Sequence, residues 1–356
     1  MDTQPKAPAG PPAGPPASPP QKARKRPVLR WVVRGLLLVG LAAGLYGVLP
    51  RLGGLARDTA ELRHARRLLV AAAIVAQAVS LASYALLYRR VLASLGARLR
   101  FALAMRVTMA SFLVSHVTPF GSATGTLLNV STLETEGIAA STTGEAIGLT
   151  SLVSTIALIA LFGTGFAATA GRHLSRAYLA TAGIAAVLVA GMLAGALVVA
   201  DHPVIAERAG RQAGKVARHF RSSVDPEKVA QDSKRLASLA RSALTGRAFL
   251  ASFGFASADL LFDLLSLDLM FLAFRYQPGF GPLAVAYTTA NIASAIPLTP
   301  GGLGVVEVTL VAITVGFGAP RATAVLAVLG YRIVDYWLPL LPGAAAYLRL
   351  RLAGKV

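Results

Sequence analysis

IPLTPGGLGVVE, residues 296–307, sets two prolines and three glycines inside a segment otherwise as apolar as a membrane-spanning helix. Proline lacks the N–H that a helix interior needs, and glycine is costly there. A helix that breaks here breaks inside lipid, where released backbone must line a polar cavity or be buried in protein. Pro297 and Pro300 stop one half-helix, while Gly301, Gly302 and Gly304 permit left-handed backbone and leave no side chain in the way of a ligand. The half-helix that restarts near Leu303 presents unpaired N–H groups and a positive dipole end, which favour an anion such as phosphate. The other reading is a plain re-entrant turn packed against its neighbours.

The rest of the chain supplies the membrane. Of 356 residues, 55% are hydrophobic and only 14% charged. Apolar runs cover 28–49, 68–87, 150–170, 178–200, 248–274 and 322–348, more than a soluble core could hide. The expected class is an all-α polytopic membrane protein. Two further apolar stretches, 101–136 and 282–317, are interrupted midway by Pro and Gly. The absence of cysteine excludes disulfides, thiol catalysis and thiolate metal sites.

A net charge of +19 tempts one toward nucleic acid, but in a membrane chain the placement of Lys and Arg sets topology instead. Residues 1–27 read as a disordered Pro/Ala-rich tail, and its basic flank, Lys22 to Arg26, keeps the N-terminus cytoplasmic. The run at 28–50 is a first transmembrane helix and 178–200 a connecting one. Between them and the second half lies 201–247, a basic cytoplasmic loop holding Arg208, Arg211, Lys234, Arg235 and others. Its stretch 229–244 fits an amphipathic surface helix. The loop stays cytoplasmic only if each interrupted stretch crosses an even number of times. A re-entrant hairpin satisfies this best, and two short tilted spans satisfy it too. The C-terminus then also lies in the cytoplasm.

Self-comparison divides the chain into a first repeat, 68–170, and a second, 248–350. Leu103, Ala104, Thr108 and Ala110 match Leu283, Ala284, Thr288 and Ala290, Thr118-Pro119 matches Thr299-Pro300, and Gly137 matches Gly318. With the topology above the repeats are inverted, one broken-helix hairpin entering from each face, as in many secondary transporters. The first break, Thr118 to Gly125, offers Thr118, Pro119, Gly121 and Gly125, with the hydroxyls of Thr118, Ser122, Thr124 and Thr126 in place of bare backbone.

Ionisable residues within apolar segments are expensive and need partners or water. Glu307 lies one turn into the restarted half-helix, and Arg332 and Asp335 share a face of the last span. A Glu307 to Arg332 contact would tie hairpin to span, with Asp335 holding the guanidinium. Such a pair serves structure as readily as ligand binding. Asp259 and Asp263 share a helical face, with Asp268 further along, which suggests a water-lined side. Glu134, Glu136 and Glu145 read as interfacial, and His116 as a packing residue.

PLTPGGLGVVEVTLVAITVGFGAPRATAVLAVLGYRIVDYWLPLLPG, residues 297–343, resembles the C-terminal half of the lysylphosphatidylglycerol synthase transmembrane-region family, also described as flippase-like. Pro297, Pro300, Gly301, Gly302, Gly304, Glu307, Gly316, Arg332, Trp337, Pro339 and Gly343 carry the likeness, which extends over roughly 68–350. The first copy has no full double glycine, and no arginine stands where one equivalent to Arg332 would map, near Ser151. The resemblance implies a multi-pass protein of a bacterial or archaeal membrane that moves or presents lipids with charged head groups. Larger members carry an aminoacyl transferase domain. Val356 follows the last span so soon that no such domain is expected, nor is lysyl transfer.

The leading expectation is therefore a flippase in a bacterial plasma membrane. It holds an anionic lipid in a central cavity through Thr118, Pro119, Gly121, Gly125, Thr299, Pro300, Gly301, Gly302, Gly304, Glu307, Arg332 and Asp335. No cofactor, metal or nucleic acid is called for. Two alternatives stay open: a membrane enzyme acting on lipid head groups through Glu307, Asp259 or Asp263, and a non-transporting accessory subunit that stabilises or recruits a cell-envelope glycosyltransferase, a biosynthetic enzyme that would then be its partner.

Overall fold

Long helices alternate with broken ones in the computed structural model, which describes residues 66–118, 121–169, 202–220, 225–243, 247–294 and 299–355, with the single positions 183 and 191. The calls on 1–27, 28–50, 178–200, Pro119 and Pro297 lie outside the described residues, apart from those two positions. In chain order the elements are α1 (Arg67–Ser94), α2 (Phe101–Val117), α3 (Gly121–Glu134), α4 (Ala140–Thr169), α5 (Pro203–Phe220), α6 (Pro226–Ala243), α7 (Arg247–Ala273) and α8 (Phe280–Ser294). A 3-10 turn (Pro300–Gly302), α9 (Val305–Gly316), α10 (Arg321–Arg332), a π-helical turn (Ile333–Trp337) and α11 (Leu338–Leu352) complete them. The described residues are all-α, as expected of a polytopic membrane protein.

α1, α4 and the continuous rod Arg321–Leu352 are each long and apolar enough to cross a hydrocarbon core. Leu68, Val75, Leu250, Val308, Ile333 and Leu341 point outward, as side chains facing lipid do. α5 and α6 are different: each has one apolar and one charged face. They pack on each other, with Gly210 against Ser233 and Gly214 against Pro226. Glu207 accepts hydrogen bonds from Lys234 at 3.0 Å and Arg211 at 3.1 Å, and the Lys234 bond is the main reason its carboxyl stays below the usual range. Arg235 of α6 reaches Glu145 of α4 at 2.7 Å, and Lys355 pairs with Glu136. The basic segment, the start of α4 and the C-terminal end of the chain thus gather at one end of the bundle.

α1 and α7 run antiparallel. The N–H of Arg66 bonds the carbonyl of Ala273 at 3.3 Å, and Ser80 donates to Asp259 at 2.7 Å, so positions rise along one helix as they fall along the other. Each is the first helix of its repeat, and the turns that follow also correspond. Ala97 N–H bonds back to Leu92 and Tyr276 N–H to Phe271; Ile138 N–H bonds Leu133 and Ala319 N–H bonds Thr314. These are the same helix-ending motif at matched places. Packing is reciprocal as well. Gly165 of α4 lies on Ala284 of α8, and Gly343 of α11 lies on Met109 of α2; a Cβ would come within 2.6 Å of the Ala284 Cβ in the first case and 2.8 Å of the Met109 carbonyl oxygen in the second. The last helix of each half therefore packs on the hairpin of the other. Equivalent helices that are antiparallel and exchange partners are related by a two-fold perpendicular to their axes, the arrangement of inverted repeats.

Both hairpins return to the end from which they enter. Leu95, Ala97 and Leu99 before α2 share one apolar cluster with Leu133 in the last turn of α3 and Ile138 just after it. Phe274 and Tyr276 before α8 share another with Phe317 and Ala319 after α9. Because α1 and α7 are antiparallel, these two bases lie at opposite ends of the bundle. With 17 residues, α2 is about 25 Å long, short of a full crossing.

Candidate functional site

The two helix breaks meet. Tyr336, near the middle of the last rod, donates its hydroxyl to the carbonyl of His116 at 2.9 Å, just before the first break. The same ring packs over Gly301 in the second break, where a Cβ would lie 2.3 Å from Tyr336 Cε2 and 2.8 Å from His116 Cδ2. His116 is a packing residue, as its setting predicted: its ring stacks on Phe112 at 3.8 Å and Nδ1 lies 2.8 Å from the Phe112 carbonyl oxygen. The π-helical turn that carries Tyr336 has a local cause. Pro339 cannot bond the carbonyl of Asp335 and its ring crowds that carbonyl, so the helix widens by one residue there.

Gly301, Gly302 and Gly304 have φ values of 59°, 67° and 87°, so the expected left-handed backbone is present. The space above the first two is not open. Tyr336 and His116 fill it at Gly301, and Ser294 and Val306 each come within 3.0 Å of a Cβ at Gly302. These glycines admit protein neighbours in this conformation, not a ligand; only Gly304 faces open space. Thr299 donates to the carbonyl of Leu303 at 2.8 Å and its own carbonyl accepts from Gly302 N–H at 3.2 Å, closing the turn that Pro300 opens.

In the first break Thr118 bonds the carbonyl of Val114 at 2.6 Å and the hydroxyl of Thr124. Its hydroxyl is therefore engaged within the hairpin. Gly121 opens α3. Gly125 lets the two arms close, since a Cβ there would lie 2.8 Å from the Ser111 carbonyl oxygen.

The expected Glu307 to Arg332 pair is present. Arg332 Nε donates to Glu307 Oε1 at 2.8 Å, one terminal nitrogen donates to Asp335 at 2.9 Å, and the other donates to the Gly301 carbonyl at 3.1 Å. Only 7% of the Arg332 side chain is exposed, and its Cζ lies 4.8 Å from the Tyr336 ring centroid. The second oxygen of Glu307 accepts the Gly304 N–H at 2.6 Å. One carboxylate thus occupies both features that sequence reasoning set aside for an anion, the start of the half-helix and the guanidinium. Two carboxylates face one guanidinium, so the arginine offers no spare positive charge here.

Behind Arg332 runs a polar seam that sequence analysis caught in part. Asp259 accepts from Ser80, and Asp263 accepts from Tyr287 at 2.7 Å and Tyr331 at 2.9 Å. Asp335 is also bonded by Gln77 at 3.3 Å. On the face of α7 that the two aspartates share, protein hydroxyls bond both carboxylates. Asp268 lies well round the helix from this face and joins none of these bonds. Ser80, Gln77, Tyr287, Tyr331 and Tyr336 escaped notice because single hydroxyls and amides are common in membrane helices. Only the spacing of Asp259 and Asp263 hinted at where partners must stand.

Comparison with known proteins agrees with this architecture. The profile of the family described as Lysylphosphatidylglycerol synthase TM region matches residues 32–343. An UPF0104 membrane protein of the archaeon Methanothermobacter thermautotrophicus is 32% identical over 84 residues, 24% of this chain and 25% of the relative. The chain thus aligns with about a quarter of that relative's length.

Proposed function

This chain belongs to the Lysylphosphatidylglycerol synthase TM region family, and from that premise we propose that it is a flippase carrying an anionic lipid head group across the bilayer. The observation that supports the reading most is the placement of Glu307. Its carboxylate bridges the half-helix N-terminus and Arg332, so it is an internal substitute for the anion. A lipid phosphate takes its place by exchanging one oxyanion for another. The exchange keeps the guanidinium and the backbone N–H bonded throughout, while the displaced Glu307 carboxylate must find water or a proton. Parting Tyr336 from His116 opens the space between the two breaks, and the acyl tails stay in the surrounding lipid. Inverted halves then rock about the site from one membrane face to the other. The face holding α5 and α6 is cytoplasmic by its basic charge, and the membrane is the plasma membrane of a bacterium.

Reconstitution tests this reading. Full-length protein in liposomes should expose labelled phosphatidylglycerol to a membrane-impermeant reagent faster than protein-free vesicles do, and faster than it exposes a zwitterionic lipid. Equal rates in all vesicles would remove the flippase reading. A chemically altered lipid on chromatography would mark an enzyme, and activity that needs an added biosynthetic partner would mark an accessory subunit.

A further inference from the structure

We propose that the seam formed by Asp259, Asp263 and Asp335 is a proton-binding site, protonated at Asp259 and Asp263 at rest and taking a further proton on Asp335 when Arg332 turns to the lipid; the second step rests on the flippase reading. Charge comes first. Four carboxyl groups, Glu307, Asp335, Asp259 and Asp263, lie in one connected region of the bundle with Arg332 as their basic partner. Glu307 and Asp335 share that cation. Asp259 and Asp263 are bonded only to hydroxyls among the described residues, from Ser80, Tyr287 and Tyr331. Several uncompensated negative charges at this depth are prohibitive, and protonation is the ordinary escape.

An independent sign comes from an orphaned group. Gln77 is 4% exposed and gives its amide N–H to Asp335, yet its Oε1 is buried with no hydrogen-bond partner. A buried amide oxygen beside carboxyl groups lacks a donor, and a carboxylic proton is the donor that fits.

The remaining neighbours are accounted for by element. α1 contributes Tyr84 near Asp259, α2 contributes His116 near Asp335, and α9 contributes Glu307. Tyr336 of the π-helical turn stands against Arg332. The only ionisable side chain of α4 is Glu145, paired with Arg235 at the end of the bundle. When phosphate draws Arg332 away, Asp335 loses its cation next to two other carboxyls. A hydronium ion from the aqueous phase gives one proton to an Asp335 oxygen and leaves as water; the new O–H bond replaces the one broken, and the added proton offsets the charge of the incoming phosphate. An anionic lipid and a proton then move together.

Infrared difference spectroscopy of the purified full chain between acid and alkaline pH tests the site without any transport. The wild type should show carboxylic-acid carbonyl bands at neutral pH that shift in heavy water and weaken in Asp259→Asn and Asp263→Asn. No such band in the wild type, or bands untouched by either variant in monodisperse protein, overturns the site. The coupling is read in liposomes, where acid on the donor side should raise the steady-state lipid ratio about tenfold per pH unit for one proton per lipid. Translocation indifferent to the gradient overturns the coupling. Absence of translocation in any vesicle removes the flippase reading with it, while the infrared bands still decide the site.

Discussion

Gly301 sits beneath the ring of Tyr336 so closely that a single added carbon would lie 2.3 Å from Cε2. The break in one hairpin and the last rod are thereby held in contact, and His116 brings in the other hairpin. Gly301→Ala should destabilise the protein by about 1–3 kcal/mol, from overpacking together with a left-handed backbone that alanine resists. Tyr336→Phe removes one hydrogen bond and should cost about 1 kcal/mol. Thermal melts in one detergent compare the two; an alanine variant as stable as wild type would contradict the close approach.

Arg332→Ala leaves Glu307 and Asp335 buried without their cation, and should cost about 3–5 kcal/mol. Adding Glu307→Gln should recover part of that loss, because it removes one stranded charge. A double-mutant cycle reads the coupling directly. Additive single effects would mean that the two side chains do not meet.

The crossover glycines should behave as a pair. Gly165→Ala presses on Ala284 and Gly343→Ala on the Met109 carbonyl, so each should lower stability by about 1–3 kcal/mol. If one proves sensitive and the other indifferent, the reciprocal packing of the two halves is wrong at the indifferent site.

Arg275 has φ 61°, at the turn where the first repeat has Gly96 with φ 84°. An exposed arginine gains nothing from that conformation. Arg275→Gly should therefore stabilise the chain by about 1 kcal/mol, measurable as a higher melting temperature, and should leave the hairpin geometry unchanged.

Acid should loosen α5 from α6 late. The Lys234 hydrogen bond, with Arg211 beside it, holds the Glu207 carboxyl below its usual range, so the bond stabilises the docked hairpin above the ordinary carboxylate range and is lost as pH falls through the lowered value. Hydrogen exchange of residues 203–220 and 225–243 should stay constant from neutral pH down to the usual carboxylate range, rise as pH falls through it, and level off below the lowered value, after correction for the intrinsic rate. Early loosening would assign the docking to another group.

The break itself was legible because proline and glycine act locally, and the Glu307 to Arg332 pair because each charge in lipid demands a partner. Parity of charged segments gave the hairpins, and the matched Thr-Pro steps gave the repeat. What the glycines face was not legible. The neighbours of Gly301 come from Tyr336 and His116, placed there by a π-helical turn that depends on Pro339 and by packing between the halves. Nor does any local pattern say that Gln77 meets Asp335, 258 positions away.

A molecule built from two halves turned over against each other treats inward and outward alike, unless the copies differ. They differ at the centre: Arg332 has Ser151 as its counterpart, and the second break has glycines where the first relies on threonine hydroxyls. If the chain carries lipid as proposed, a preference for one direction must arise from those mismatches. On the flippase reading, Ser151→Arg in the otherwise intact chain should change the ratio of inward to outward translocation measured in liposomes.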